Sequence, residues 1–370
     1  MANLSLLIKP VGADCNLRCA YCFYRPKAAL YPEAKHPKMS DEVLDRLISD
    51  AMGQRADVTS FGWQGGEPAL AGLEFYKRVV ELQMKYGAPG QSVGNSLQTN
   101  GVLLTSEWAR FLNEYKWLVG LSVDGPAELH DKYRKDPQGA PTHQKVMDVM
   151  RLLRVYEVEF NALVLLNDHN VKKPDLLYEF LRDSGVTFMQ FVPCIETIGR
   201  GKPAPYCITP EAYGDFLCAV FDRWVQDYPA ISVRDFDQLL LAELGRPGCI
   251  CMHGESCDHY LVVEHNGDVY PCDFFVQADL CLGNIMENTL AELGETGKRK
   301  GFAANKSAHL SECAECPWLG YCHGGCMKHR IILGGAWGDP SYFCKSYRQL
   351  YEHSIGTIKS LAAKIEQPQS

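Results

Sequence analysis

Three cysteines, Cys15, Cys19 and Cys22, stand in the run CNLRCAYCFY, directly after the apolar residues 4–8. A structural zinc ion takes four ligands, commonly from CxxC pairs, and a disulfide framework needs an even number. Three thiolates on one short loop can instead hold a cubane 4Fe-4S cluster at three irons and leave the fourth open. A second set comes late in the chain: Cys257, Gly267, Cys272, the pair Cys313 and Cys316, then Cys322, Cys326 and Cys344. Two closed clusters need eight thiolates, and these seven cysteines fall one short. Cys249 and Cys251 are both close enough upstream to supply the last.

Something must bring these thiols together. Apolar runs at 4–9, 57–63, 92–98, 117–123, 158–166 and 186–192 read as strands, and amphipathic patterns at 41–52, 73–85, 106–115, 143–156 and 174–184 read as the helices between them. Strand and helix in repeated alternation predict parallel βα units closing into a partial barrel or opening into a doubly wound sheet. Polar, Gly-rich segments follow the strands: the cysteine loop, then Gln64-Gly65-Gly66-Glu67-Pro68, Thr99-Asn100-Gly101, Asp124-Gly125-Pro126 and Pro193-Cys194-Ile195-Glu196. Chemistry gathered after the carboxyl ends of parallel strands places the active site there. A helix near 210–228 closes this part. Beyond it, the clearest elements are a hairpin, 260–265 and 268–270, turned by Asn266-Gly267 in a way that suits a type I′ turn, and a C-terminal helix near 341–365. The expected division is 1–230 for the partial (β/α)6 barrel and 231–370 for a cysteine-rich domain held together by its metal centres.

The chain of 370 residues is 46% hydrophobic and carries a net charge of -8 without any run of Lys or Arg, which argues against nucleic acid as partner. No apolar run reaches the roughly 18 residues of a membrane span, and no signal-peptide pattern opens the chain, so a cytoplasmic protein is expected. Sixteen cysteines in a reducing compartment point to metal or redox chemistry. Cys194, Cys207, Cys218, Cys249 and Cys281, outside the two sets or left over from them, read as small buried hydrophobes or inert thiols.

CxxxCxxC with an aromatic pair after the first strand of a βα barrel resembles the radical S-adenosylmethionine (SAM) enzymes. That resemblance implies SAM chelated to the open iron and cleaved to a 5′-deoxyadenosyl radical. Gly65-Gly66-Glu67-Pro68 looks like the family's GGEP motif, with backbone near Gly66 receiving the SAM ammonium. Ser122 and Arg134 would hold the SAM carboxylate, and Tyr21 and Ile195 would flank adenine. The late cysteines resemble the SPASM extension with two auxiliary 4Fe-4S clusters, three clusters in all. The resemblance implies Cys251, Cys257, Cys272 and Cys326 for the inner cluster and Cys313, Cys316, Cys322 and Cys344 for the outer.

Finer strings, SLLIKP at 5–10, FVPCIE at 191–196, YPCDFF at 270–275 and GGCMKHR at 324–330, resemble the anaerobic sulfatase-maturating enzymes. The implied reaction oxidises a Cys or Ser in a Cys/Ser-x-Pro-x-Arg segment of a sulfatase to Cα-formylglycine. It proceeds by β-hydrogen abstraction and electron transfer to the auxiliary clusters, and a low-potential donor such as flavodoxin or ferredoxin starts it. Asp273, directly after Cys272, is the candidate base, and Tyr24 a candidate for the substrate pocket. Two other readings compete. One is a different SPASM peptide modifier, making thioether links or trimming a precursor, against which the lack of an N-terminal leader-binding domain weighs. The other is a non-catalytic zinc or iron-sulfur scaffold.

Overall fold

The strands form at the short apolar runs: β1 (Leu4–Lys9), β2 (Val58–Trp63), β3 (Ser92–Thr99), β4 (Leu118–Ser122), β5 (Phe160–Leu166) and β6 (Phe188–Pro193). Between and after them lie α1 (Asp41–Gly53), α2 (Leu73–Tyr86), α3 (Ser106–Glu114), α4 (Ala127–Tyr133), α5 (His143–Val155), α6 (Pro174–Asp183), α7 (Pro210–Asp227) and α8 (Arg234–Glu243). Local chemistry sets their limits. The Ser40 hydroxyl caps α1 by accepting from the Val43 N–H, Asp41 and Glu42 lie in the first turn, and Leu44, Leu47, Ile48 and Ala51 make the buried stripe. Thr209 caps α7 in the same way, with Pro210 at the first helical position. The protein is α/β with a mostly parallel sheet. This computed structural model describes residues 3–199, 201–248, 250–308 and 311–366. Cys249 and the tail 367–370 lie outside the described residues.

Two compact units divide the chain. The first comprises 1–122, 131–160 and 258–302. Its core is aromatic: Trp63 stacks on Trp117 at 6.4 Å and meets Phe75 and Tyr76 edge-on at 5.8 and 5.7 Å. The second comprises 123–130, 161–257 and 303–370. It contains a small ribbon, β7 (Thr197–Ile198) with β8 (Lys202–Pro203), and the short β9 (Ser232–Val233), parallel to β6. There Phe221, Trp224 and Phe236 pack on one another, and Tyr213 of α7 meets Tyr347 of the C-terminal helix Cys344–Glu366.

Three strands of the first unit come from the cysteine-rich segment: β10 (Leu261–Glu264), β11 (Asp268–Tyr270) and β12 (Gly283–Asn284). The order within this unit is β12-β11-β10-β1-β2-β3-β4. The hairpin therefore extends the barrel sheet, with β10 parallel to β1 in the register Leu6↔Leu261 to Lys9↔Glu264. Its turn corrects the type I′ expectation. The Gly267 N–H donates to the Glu264 carbonyl at 2.9 Å, and Gly267 (φ +92°) takes positive φ while Asn266 does not. That pattern is a type I turn closed by a glycine bulge, one residue longer than the two-residue loop. Among the described residues no helix is long and apolar enough to cross a membrane.

One buried carboxyl gives stability a pH dependence. Asp235 opens α8 at 6% exposure, and burial pushes its carboxyl up to about 7 from an ordinary value near 3.8. Below the lower value folded and unfolded chains both carry the proton; between the two only the folded chain keeps it, so stability falls as pH rises through this window and the loss is complete above it. Asp235→Asn is expected to raise Tm at pH 8 by roughly 2 °C or more and to change little at pH 4. Calorimetry at the two pH values checks this; an equal shift at both would refute the assignment.

Candidate active site and metal centres

The first cysteine loop lies on the carboxyl ends of β1, β2 and β3. Its backbone is held from two sides within the first unit. On one side the Gly66 N–H donates to Gly12 O at 2.8 Å and the Glu67 N–H to Asp14 O at 2.7 Å. On the other the Arg18 N–H donates to Lys135 O at 2.8 Å and the Ala20 N–H to Tyr133 O at 3.4 Å. The two glycines allow the first contact. A Cβ on Gly65 would lie 2.7 Å from Gly12 O, and one on Gly66 would lie 1.8 Å from Asp14 O. With its N–H occupied, what Gly66 can offer an ammonium is its carbonyl oxygen.

Glu67, at 1% exposure, ties the loops after β2 and β3 together. Its carboxyl accepts from the Ala69 N–H at 3.0 Å, the Thr99 hydroxyl at 2.7 Å and the Asn100 N–H at 2.8 Å. Asn100 in turn donates to Asn16 Oδ1 at 2.8 Å and reaches Cys15 Sγ at 3.8 Å. Burial pushes the Cys15 thiol up to about 12; the Leu17 N–H, 3.4 Å from the sulfur, works against this, while Glu67, Cys19 and Cys22 add to it. A metal held here would take Cys15 as the thiolate, so binding would release its proton.

Arg134, Tyr21 and Tyr133 meet here. The Arg134 guanidinium lies over the Tyr21 ring at 5.5 Å, and Tyr21 meets Tyr133 edge-on at 5.8 Å. The backbone bonds from residues 18 and 20 carry Arg134 to the cysteine loop, a placement its polar surroundings in sequence did not reveal. Ser122 ends β4, partly buried. Ile195, buried, stands in the second unit just beyond β6.

Tyr24 and Asp273 belong to one buried network of the first unit. The Tyr24 hydroxyl donates to Glu264, and Lys9 Nζ lies 4.2 Å from the centre of the Tyr24 ring. The same Lys9 Nζ pairs with Asp273 Oδ1 at 2.5 Å. Lys9 and Glu264 face each other in the ladder at the carboxyl ends of β1 and β10, each 1% exposed. Tyr24 also packs with Val262, Tyr270 and Val276, against which Cys22 and Phe23 lie. Lys9 and Glu264 escaped the sequence reading. The signal available was a lysine ending a buried strand directly before the cysteine loop, where a charge must find a partner.

In the second unit, Cys313, Cys316, Cys322 and Cys344 line a single cavity of about 100 Å³ together with Trp318, Tyr347 and Tyr351. Among the described residues no three His, Cys, Asp or Glu side chains converge on the coordination sphere of a single ion. Four thiols spread around a mainly apolar cavity fit an iron-sulfur cluster. Cys251, exposed, and the partly buried Cys257 and Cys326 lie within electrostatic reach of one another and of Lys306 in this unit. Cys272 stands in the first unit. Of the remaining thiols, Cys194 and Cys218 fit the inert reading, pushed up chiefly by a hydrogen bond with Cys207 and by burial respectively. Cys207 departs from it. A hydrogen bond from Cys194 and the Glu196 N–H, 3.1 Å from its sulfur, bring the thiol down to about 7.

Two family models match this chain: the Radical SAM superfamily over residues 10–181 and SPASM, an iron-sulfur cluster-binding domain, over 251–317. Fold and thiol loops thus define a radical SAM enzyme with a SPASM extension. The serine-type anaerobic sulfatase-maturating enzyme of Bacteroides thetaiotaomicron is 40% identical, over 95% of this chain and 89% of its own. The cysteine-type anaerobic sulfatase-maturating enzyme of Clostridium perfringens (strain 13 / Type A) is 38% identical, over 99% and 100%. A solved structure described as native anSMEcpe with bound AdoMet and Cp18Cys peptide matches with a TM-score of 0.91 at 37% identity, covering 99% of this chain and 100% of that one. The chain belongs to the anaerobic sulfatase-maturating enzymes.

Proposed function

We propose that this protein oxidises the Cys or Ser of a sulfatase Cys/Ser-x-Pro-x-Arg segment to Cα-formylglycine. The observation that carries the reading is the buried Asp273–Lys9 pair beside Tyr24, in the same unit as the Cys15, Cys19 and Cys22 loop. SAM, held beside the Cys15, Cys19 and Cys22 loop, would supply when bound the radical chemistry that removes one β-hydrogen from the target residue. Asp273 accepts the thiol or hydroxyl proton. With one electron still to be lost, which the auxiliary clusters would take up, the carbon-heteroatom bond becomes double. The product is an aldehyde from serine; from cysteine it is a thioaldehyde, which water converts to the aldehyde with loss of sulfide.

The chain's own groups divide the remaining work. Lys9 fixes the Asp273 carboxyl, and Glu264 fixes the buried Tyr24 hydroxyl. The Gly66 carbonyl, Ser122 and Arg134 suit the ammonium and carboxylate of SAM, since an arginine fork matches a carboxylate; Tyr21 and Ile195 serve the adenine. Cys251, Cys257, Cys272 and Cys326 would hold the inner auxiliary cluster and Cys313, Cys316, Cys322 and Cys344 the outer. The cavity lined by the latter four supports that assignment. A ferredoxin or flavodoxin suits the reduction that starts the cycle.

Reduced enzyme incubated with SAM and peptides containing Cys-x-Pro-x-Arg or Ser-x-Pro-x-Arg is expected to yield the formylglycine mass for at least one of them. Vigorous SAM cleavage with both peptide masses unchanged would remove the maturase reading and leave the other SPASM peptide modifiers.

A further inference from the structure

Two cations of the second unit are buried with no carboxylate partner among the described residues. Lys306, at 0% exposure, donates from Nζ to Met252 O at 2.8 Å and to Gly325 O at 2.5 Å. Met252 follows Cys251, and Gly325 precedes Cys326. Arg330, at 4% exposure, spreads its guanidinium over backbone carbonyls alone, among them Gly324, Lys306, His323 and Trp337. The groups of opposite sign that face the two are thiols: Cys251, Cys257 and Cys326 for Lys306, and Cys257, Cys313, Cys322 and Cys326 for Arg330. A buried ammonium or guanidinium whose hydrogen bonds all go to carbonyls, with cysteines the only groups in reach that can turn negative, is a countercharge for what those cysteines hold.

At Cys15 the buried ionisable neighbour is of the opposite kind. The buried charge facing Cys15 is Glu67, whose carboxyl accepts three hydrogen bonds. Reducing a cluster adds one negative charge, which a buried cation favours and a buried carboxylate opposes.

We propose that Lys306 and Arg330 are potential-setting residues. They raise the reduction potentials of the auxiliary clusters near them, on Cys251, Cys257 and Cys326 and on Cys313 and Cys322, above that of the cluster on Cys15, Cys19 and Cys22. The second unit can then take the substrate's electron without returning it to the first cluster. This rests on the three-cluster reading above.

Redox titration of the holoenzyme, followed by electron paramagnetic resonance with iron counted in parallel, tests both layers. In the unmodified enzyme the auxiliary signals are expected to reduce at higher potential than the SAM-binding cluster; the reverse order overturns the proposal without any variant. In Lys306→Met the ratio of reduced to oxidised auxiliary cluster at fixed potential should fall about tenfold, equal to a shift of about 59 mV for one electron. Lys306→Arg should restore the potential, and Lys300→Met, at an exposed lysine, should leave it alone. Unmoved potentials in a Lys306→Met enzyme with full iron content overturn the proposal. Where that variant loses iron, Arg330→Gln, expected to lower the auxiliary potentials in the same way, and the order of potentials in the unmodified enzyme decide. About four irons per chain, in place of about twelve, would instead sink the three-cluster reading itself.

Discussion

Gly66→Ala is expected to abolish reductive SAM cleavage. The added methyl carbon would sit 1.8 Å from Asp14 O and 2.4 Å from Asp14 C, both backbone atoms of the segment that leads into Cys15. No rotamer relieves such a clash, because a Cβ has no torsion of its own and the neighbour is not a flexible side chain. The cysteine loop or the 65–67 turn must move by an ångström or more, breaking the bonds from Gly66 and Glu67 to Gly12 and Asp14. Misplacement on that scale costs about 10²-fold even where the groups survive. Here it displaces a cluster ligand. We expect iron content to drop by about four per chain and 5′-deoxyadenosine to fall to background. Gly53→Ala, where a Cβ meets nothing within 4 Å, is the matched control and should behave as the parent. Normal iron and cleavage in Gly66→Ala would show that the loop has a second arrangement able to hold its cluster.

Asp273→Asn should separate the first half of the reaction from the second. The amide keeps the shape of the carboxyl and an oxygen that can accept from Lys9, so the buried ammonium loses its countercharge but keeps a hydrogen-bond partner. What it loses is the capacity to take a proton, and general-base catalysis contributes about 10²- to 10⁴-fold. Clusters and SAM cleavage should persist while formylglycine falls by about 10²-fold or more, so that 5′-deoxyadenosine per aldehyde rises steeply. Measuring both products in the same reaction makes the split visible. A proportional fall of the two would assign Asp273 to substrate placement, and full activity would assign the base to another group.

The contrast between these two residues shows what the sequence could and could not say. The cysteine loops and the GGEP turn were legible because sulfur spacing and glycine are local signals, each with a chemical reason to exist. Asp273 was legible through its neighbour Cys272. Its partner was not. A lysine ending an apolar strand reads the same whether its amine reaches solvent or a carboxylate some 260 residues away, and only the pairing of β10 with β1 makes the difference. Parallel pairing between distant segments leaves no local trace, since a β10 buried at every position carries no alternation to reveal its neighbours. The hairpin turn failed more narrowly. Asn-Gly marks a turn securely, but whether the loop holds two residues or three depends on the register that the third strand, β12, also shares.

That same pairing has a consequence for how the chain is made. Glu264 leaves the ribosome roughly thirteen to fifty seconds after its strand partner Lys9 at ordinary elongation rates. Until then β1 has one open edge and its terminal ammonium no anion. The first unit, though it begins at the amino end, is therefore completed after most of the second unit's residues have been synthesised. Completion of the first unit must wait on its own late-emerging strand. A nascent chain halted before residue 258 would present the three thiols of the opening loop without the strand that backs them.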